Sequence, residues 1–108
     1  MAKYMFKGRY AAEGVRGLLK EGGTSRLRYI SQLFSNHGCT VESAYFAYGE
    51  DDVVGFMDAP DAKTATAISL AVNASGVIKV SLMPLISPED IDAAVRKAVA
   101  VDYKPAGS

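Results

Sequence analysis

The chain has 108 residues, 49% hydrophobic and 22% charged, with a mean hydropathy of +0.07. These values predict one compact soluble domain and exclude a two-domain enzyme. Twelve Lys and Arg balance twelve Asp and Glu, which removes the attraction behind generic nucleic-acid binding, and the single cysteine, Cys39, excludes an intramolecular disulfide or a multi-cysteine metal site. Residues 2–10 alternate with the period of a strand, Tyr4, Phe6, Gly8 and Tyr10 facing one way and Lys3, Met5, Lys7 and Arg9 the other. Residues 11–21 carry a helical pattern through Val15, Leu18 and Leu19, weakened by Gly14 and Gly17, each roughly 1 kcal/mol worse than Ala. Gly22-Gly23 interrupts it. Thr24 or Ser25 is the expected cap of a second helical stretch in which Leu27, Ile30, Leu33, Phe34 and His37 share a face until Gly38 supplies a left-handed stop. One bent crossover and two separate helices both satisfy this pattern.

Residues 39–48 and 52–59 are rich in Val, Tyr and Phe and are joined by a hairpin turn at Gly49, Glu50 and Asp51. Pro60-Asp61 then punctuates the chain. Asp61 is suited to cap a helix over residues 62–75 that Gly76 closes, and a fourth strand follows over residues 77–85. Ser87-Pro88-Glu89-Asp90 is a helix start, with a cap hydroxyl, Pro at the first helical position and acids at the positive end of the dipole. Ile91, Ala94, Val95 and Ala98 form the apolar stripe of that last helix. Residues 1–100 therefore make the expected domain, and residues 101–108 a disordered tail or an arm to a neighbour.

Strand, helix, strand, strand, helix, strand and a final helix is the βαββαβ order of an α+β ferredoxin-like sandwich with an antiparallel sheet and an additional C-terminal helix. Its first and third strands are central neighbours. A register placing Lys3 opposite Asp58 and Arg9 opposite Asp52 also sets Met5 against Phe56, Phe6 against Gly55 and Gly8 against Val53, matching charge with charge and large with small. It separates a face of Tyr4, Phe6, Tyr10, Val53 and Met57, expected under the helices, from a mixed face of Lys3, Met5, Lys7, Arg9, Val54, Phe56 and Asp58. The mixed face is too apolar to stay in water, and the helix over residues 62–75 carries Lys63 as its only charge. A homo-oligomer, at least a dimer, formed through the outer sheet face is expected.

No stretch approaches the ~20 apolar residues of a membrane span, and Met1-Ala2-Lys3 runs straight into strand-like sequence without a signal-peptide core. The expected location is cytoplasmic, with no membrane partner. Charge is unevenly placed: seven basic residues against two acids in residues 1–28, then six acids and no Lys or Arg in residues 29–62. Such a split steers a charged ligand or brings the two segments side by side.

Glu50, Asp51 and Asp52 gather carboxylates that suit acid–base work or a hard cation, or simply form a solvated turn with Asp52 paired to Arg9. His37 with Cys39 offers a general base or two metal ligands, against a plain helix-capping role; no metal is expected, because two ligands leave a site incomplete. Tyr4, Tyr10, Tyr45 and Tyr48, with Asn73 and His37, are the candidate lining of a ligand cleft between sheet and helices, where Gly8 and Gly55 would leave room. Ordinary packing with each hydroxyl at the rim is the competing reading. No phosphate loop, nucleotide-binding glycine motif, nucleophilic serine motif or flavin or haem signature is present, so no cofactor is expected.

The run Ala2-Lys3-Tyr4-Met5-Phe6-Lys7-Gly8-Arg9-Tyr10, the stretch from Glu13 to Gly23, Tyr45 to Val54 and Ile68 to Gly76 together resemble the GYD-domain proteins of bacteria and archaea. Gly49 and Asp52 match the Gly, Tyr, Asp motif of that family, while Asp51 stands where the tyrosine is usual. The resemblance implies a ferredoxin-like fold of the dimeric α/β barrel type, with two sheets packed face to face, and implies no reaction. The leading expectation is a small oligomeric module that binds a small molecule in the tyrosine-lined cleft. The alternative is a cofactor-independent monooxygenase or isomerase of the dimeric α/β barrel kind using Tyr45, Asn73 or His37, and fold analogy alone does not transfer such a function. RNA binding on the sheet is helped by Lys3, Lys7 and Arg9, but the zero net charge and the lack of an aromatic RNA-recognition motif count against it.

Overall fold

The structure, a computed structural model, describes residues 1–108. The elements follow as β1 (Ala2–Tyr10), α1 (Ala12–Glu21), α2 (Gly23–Ser35), β2 (Thr40–Phe46), β3 (Val53–Ala59), α3 (Ala62–Ala74), β4 (Ile78–Pro84) and α4 (Pro88–Ala98). The four strands form one antiparallel sheet in the order β2-β3-β1-β4. This is the ferredoxin-like α+β arrangement that the order of elements predicts.

β1 and β3 pair in the expected register, Lys3 with Asp58, Met5 with Phe56 and Phe6 with Gly55. Alternation then sends Tyr4, Phe6, Val53 and Met57 beneath the helices, where they form the core with Phe34 from α2, Ala65 and Ile68 from α3, and Cys39 and Ala59. The Phe6 and Phe34 rings meet edge to face at 5.8 Å, a favoured aromatic geometry. On the opposite face Lys3 bridges Asp58 at 3.4 Å and also Glu42 of β2.

The expected Arg9–Asp52 ion pair does not form. Asp52 lies just past the strand end, where its carboxylate accepts the Tyr10 backbone N–H at 2.8 Å, and Arg9 donates instead to the Glu50 carbonyl at 2.7 Å. The strand end leaves that backbone donor to be satisfied locally, and the nearest carboxylate takes it.

The first crossover is two helices. Gly22, at φ +86°, ends α1 and immediately precedes α2, so its flexibility replaces a side-chain cap and Thr24 and Ser25 fall inside the first turn of α2. Gly38 provides the left-handed stop at φ +78°. Asp61 caps α3 as expected, its carboxylate accepting the Thr64 N–H at 2.7 Å. That hydrogen bond holds the Asp61 carboxyl below the usual carboxylate range. The sign follows: a depressed folded-state value contributes stability at neutral pH that is lost as pH falls through it. Asp61→Ala is therefore expected to lower the melting temperature at pH 7, and the gap to wild type should narrow in acid, read by thermal unfolding at pH 7 and pH 2.5.

The C-terminal part departs from a compact shape. The radius of gyration is 17.4 Å and the molecule extends 55 × 34 × 23 Å, whereas a compact domain of this size has a radius of gyration of about 13 Å. α4 buries none of its residues and packs against no other element beyond grazing contact. Residues 101–108 carry no regular structure and are exposed throughout.

Candidate functional site

Helices α2 and α3 do not close fully over the sheet. Between them and β1, β3 and β4 lies an apolar cavity of about 60 Å³, walled by Phe6, Phe34, Met57, Ile68, Ile78 and Leu82 among others. The wall is apolar because the same alternation that builds the core continues to its edge. Tyr10 and Arg26, both half-buried, and the exposed Tyr29 also line it. The Arg26 guanidinium stacks over the Tyr29 ring at 4.7 Å, a cation–π contact that orients both.

Tyr10 is the chemically unusual residue of this cavity. Its hydroxyl is cut off from solvent and has no hydrogen-bond partner, alone among the buried side-chain polar atoms. Burial pushes its phenol above the ordinary tyrosine value, and the Arg26 guanidinium opposes that shift as a nearby charge and donor, short of regular hydrogen-bond geometry. Buried polar groups are nearly always satisfied. An orphan hydroxyl in an apolar wall is a donor awaiting an acceptor.

The other candidate residues are placed elsewhere. Tyr4 is buried in the core and does not line the cavity. Tyr45 lies opposite Val54, on the sheet face away from the helices, because a bulge between Val41 and Ser43 shifts the phase of β2 by one residue. Without that bulge, Tyr45 would share the helix side with Val41. Tyr48 is fully exposed beyond the end of β2. The Asn73 carboxamide is engaged at both ends, accepting from the Val80 N–H at 2.6 Å and donating to the Val80 carbonyl at 3.0 Å. It thus closes part of the β4 edge against further strand pairing.

His37 is exposed in a separate shallow hollow between α2 and α3. Cys39, two residues on, is buried, its Sγ directed at the His37 carbonyl oxygen, so imidazole and thiol do not form a ligand pair. Burial raises the thiol above its ordinary value, which disfavours the reactive thiolate. The room expected at Gly8 and Gly55 is filled: a Cβ on Gly55 would lie 2.4 Å from Phe6 Cζ, and one on Gly8 would lie 2.8 Å from Val53 Cγ1. Glu50, Asp51 and Asp52 do not converge with other ligands into a cluster of three.

Of the six residues read from the sequence as the cleft lining, only Tyr10 reaches the cavity. Arg26 and Tyr29 were missed. Their signal was their position on α2, Arg26 beside Leu27 and Tyr29 beside Ile30, where a polar residue at the rim of an apolar stripe reaches the mouth of whatever the stripe covers.

The family comparison covers this whole arrangement: the GYD domain model matches residues 4–95, from β1 into α4. The chain belongs to the GYD-domain family. No curated protein and no solved structure matches it. Within this GYD domain, Asp51, at the position where the resemblance expects tyrosine, sits on the β2–β3 turn. It borders a polar surface hollow with Lys7, Arg9, Glu50, Lys79 and Ser81 and does not line the apolar cavity.

Proposed function

We propose that this GYD-domain protein binds a small, largely apolar molecule in the cavity between sheet and helices, the ligand presenting an oxygen acceptor to the Tyr10 hydroxyl. The orphan hydroxyl carries this reading. The apolar wall takes the body of the ligand, and one well-placed polar group fixes its orientation, the usual division of labour in small-molecule sites. A carboxylate or enolate oxygen suits the site best, because Arg26 adds a positive charge on the same wall.

Tyr10→Phe separates the two halves of this reading by sign. Removing an unpaired buried hydroxyl should stabilise the empty protein by about 1 kcal/mol, while removal of its hydrogen bond should weaken ligand retention about tenfold. Denaturant unfolding reads the first effect. Native mass spectrometry of freshly purified protein, wild type against variant, reads the second as loss of an adduct mass. A variant that is less stable and retains the same adduct would overturn the proposal.

A second observation favours assembly. On the sheet face away from the helices, Met5, Phe56 and Met83 form one apolar row across three strands, with Phe56 and Met83 exposed. We infer that a second copy of the chain covers this face, and a monomer at micromolar concentration in sedimentation equilibrium would refute it.

A further inference from the structure

We propose that α4 is an exchanged arm: it packs across the open sheet face of a second copy, not of its own chain. The proposal rests on the assembly reading above and names what covers that face. An isolated helix of 11 residues is marginal in water. α4 is nevertheless fully equipped to be one, with Ser87 capping the Asp90 N–H, Pro88 at the first position, Glu89 and Asp90 in the first turn and Arg96 and Lys97 in the last. Its stripe of Ile91, Ala94, Val95 and Ala98 finds no cover in its own chain. Ile91 is 45% exposed and Val95 60%. On the open face Tyr45, Phe56 and Met83 are exposed, and so are Ile86, Ile91 and Val95 on the arm, so each surface leaves a run of large apolar side chains in water.

Charge selects a second copy over the chain's own sheet. The strands of the open face carry Lys7, Arg9 and Lys79 toward one end, beside the Glu50–Asp51 turn, and Glu42 and Asp58 with Lys3 at the other. Along α4 the acids Glu89, Asp90 and Asp92 come first and the bases Arg96 and Lys97 last. The helix is about 16 Å long, nearly the ~20 Å from Lys3 to Arg9 along β1. In its own chain α4 begins at the Lys3 end, since Pro84 pairs with Tyr4 and the Leu85 N–H bonds the Lys3 carbonyl. Folded back on its own sheet, it would set acids beside Asp58 and Glu42 and bases beside Arg9 and Lys79. Laid in the opposite direction on a partner, it sets Glu89, Asp90 and Asp92 toward Lys79, Arg9 and Lys7, the stripe over Met5 and Phe56, and Arg96 and Lys97 toward Asp58 and Glu42.

Disulfide trapping in the full chain tests this, with the buried native Cys39 in wild type as the background control. Val95→Cys and Phe56→Cys, made in separate chains, mixed and oxidised, should give a species of dimer mass joining the two variants. Val95→Asp should raise the dimer dissociation constant at least about tenfold, while the melting temperature measured below that constant, where the chain is monomeric, should stay at the wild-type value, since α4 has no more than grazing contact with its own chain. A disulfide closing within one chain of the double variant would place the arm on its own sheet and overturn the proposal. A Phe56→Cys homodimer without the mixed species would mean that the sheets meet directly, overturning the arm while leaving the assembly reading intact. A wild-type monomer throughout would overturn both.

Discussion

Phe6→Ala is expected to lower the unfolding free energy by about 3–5 kcal/mol, the usual cost of removing a buried ring. The ring is 3% exposed, meets Phe34 edge to face, and fills the space above Gly55 that no side chain there occupies. It is thus the contact that joins the central strand to α2 through the core. Truncation also enlarges the cavity it lines, and collapse is resisted because β1 and β3 are held apart by their own ladder. Against a typical total of about 5–15 kcal/mol, such a loss brings the domain near its threshold. Urea unfolding checks it through a lower midpoint at unchanged slope. A loss below about 1 kcal/mol would show that the helices do not depend on this ring for their seating.

Gly55→Ala is the second large effect, and its sign is set by geometry alone. Alanine in place of glycine within a strand ordinarily stabilises, because glycine loses more backbone entropy on folding. Here the added Cβ would lie 2.4 Å from Phe6 Cζ and 2.4 Å from the Ser43 carbonyl oxygen. A ring can turn aside; a carbonyl of the adjacent strand moves only if β2 and β3 separate. The expected cost is about 3 kcal/mol, at the upper end for overpacking. Adding Phe6→Leu should recover only the part due to the ring, so a double-mutant cycle on the two positions measures how much of the penalty belongs to the strand pairing. Full recovery would mean that the backbone contact is harmless.

The two predictions also mark how far the sequence could be read. The pairing of Phe6 with Gly55 was legible because a strand alternates with a period of two, and the register that sets Lys3 against Asp58 also sets large residues against small. The caps Asp61 and Ser87 were legible for a similarly local reason: a short polar side chain before a helical pattern reaches its own first turn. The candidate cleft was read less well. Tyr45 changed faces because of a single bulge between Val41 and Ser43, and nothing in the residue types around Glu42 announces an extra residue in the ladder. Asn73, a candidate for the cleft lining, is held instead by Val80, on a strand it meets only after the chain has turned through Gly76.

The sequence by itself determined the element order, the central β1–β3 register, the burial of one sheet face and the membership of the GYD-domain family. These depend on periodicity and short-range chemistry, which one strand or one helix displays along its own length. Only the tertiary structure decided that Tyr10 ends with an orphan hydroxyl in an apolar wall beside Arg26 and that α4 stands clear of the sheet and helices that precede it. Both depend on how far separate elements approach one another in space. That distance is set by packing between residues remote in the chain, and no local pattern records it.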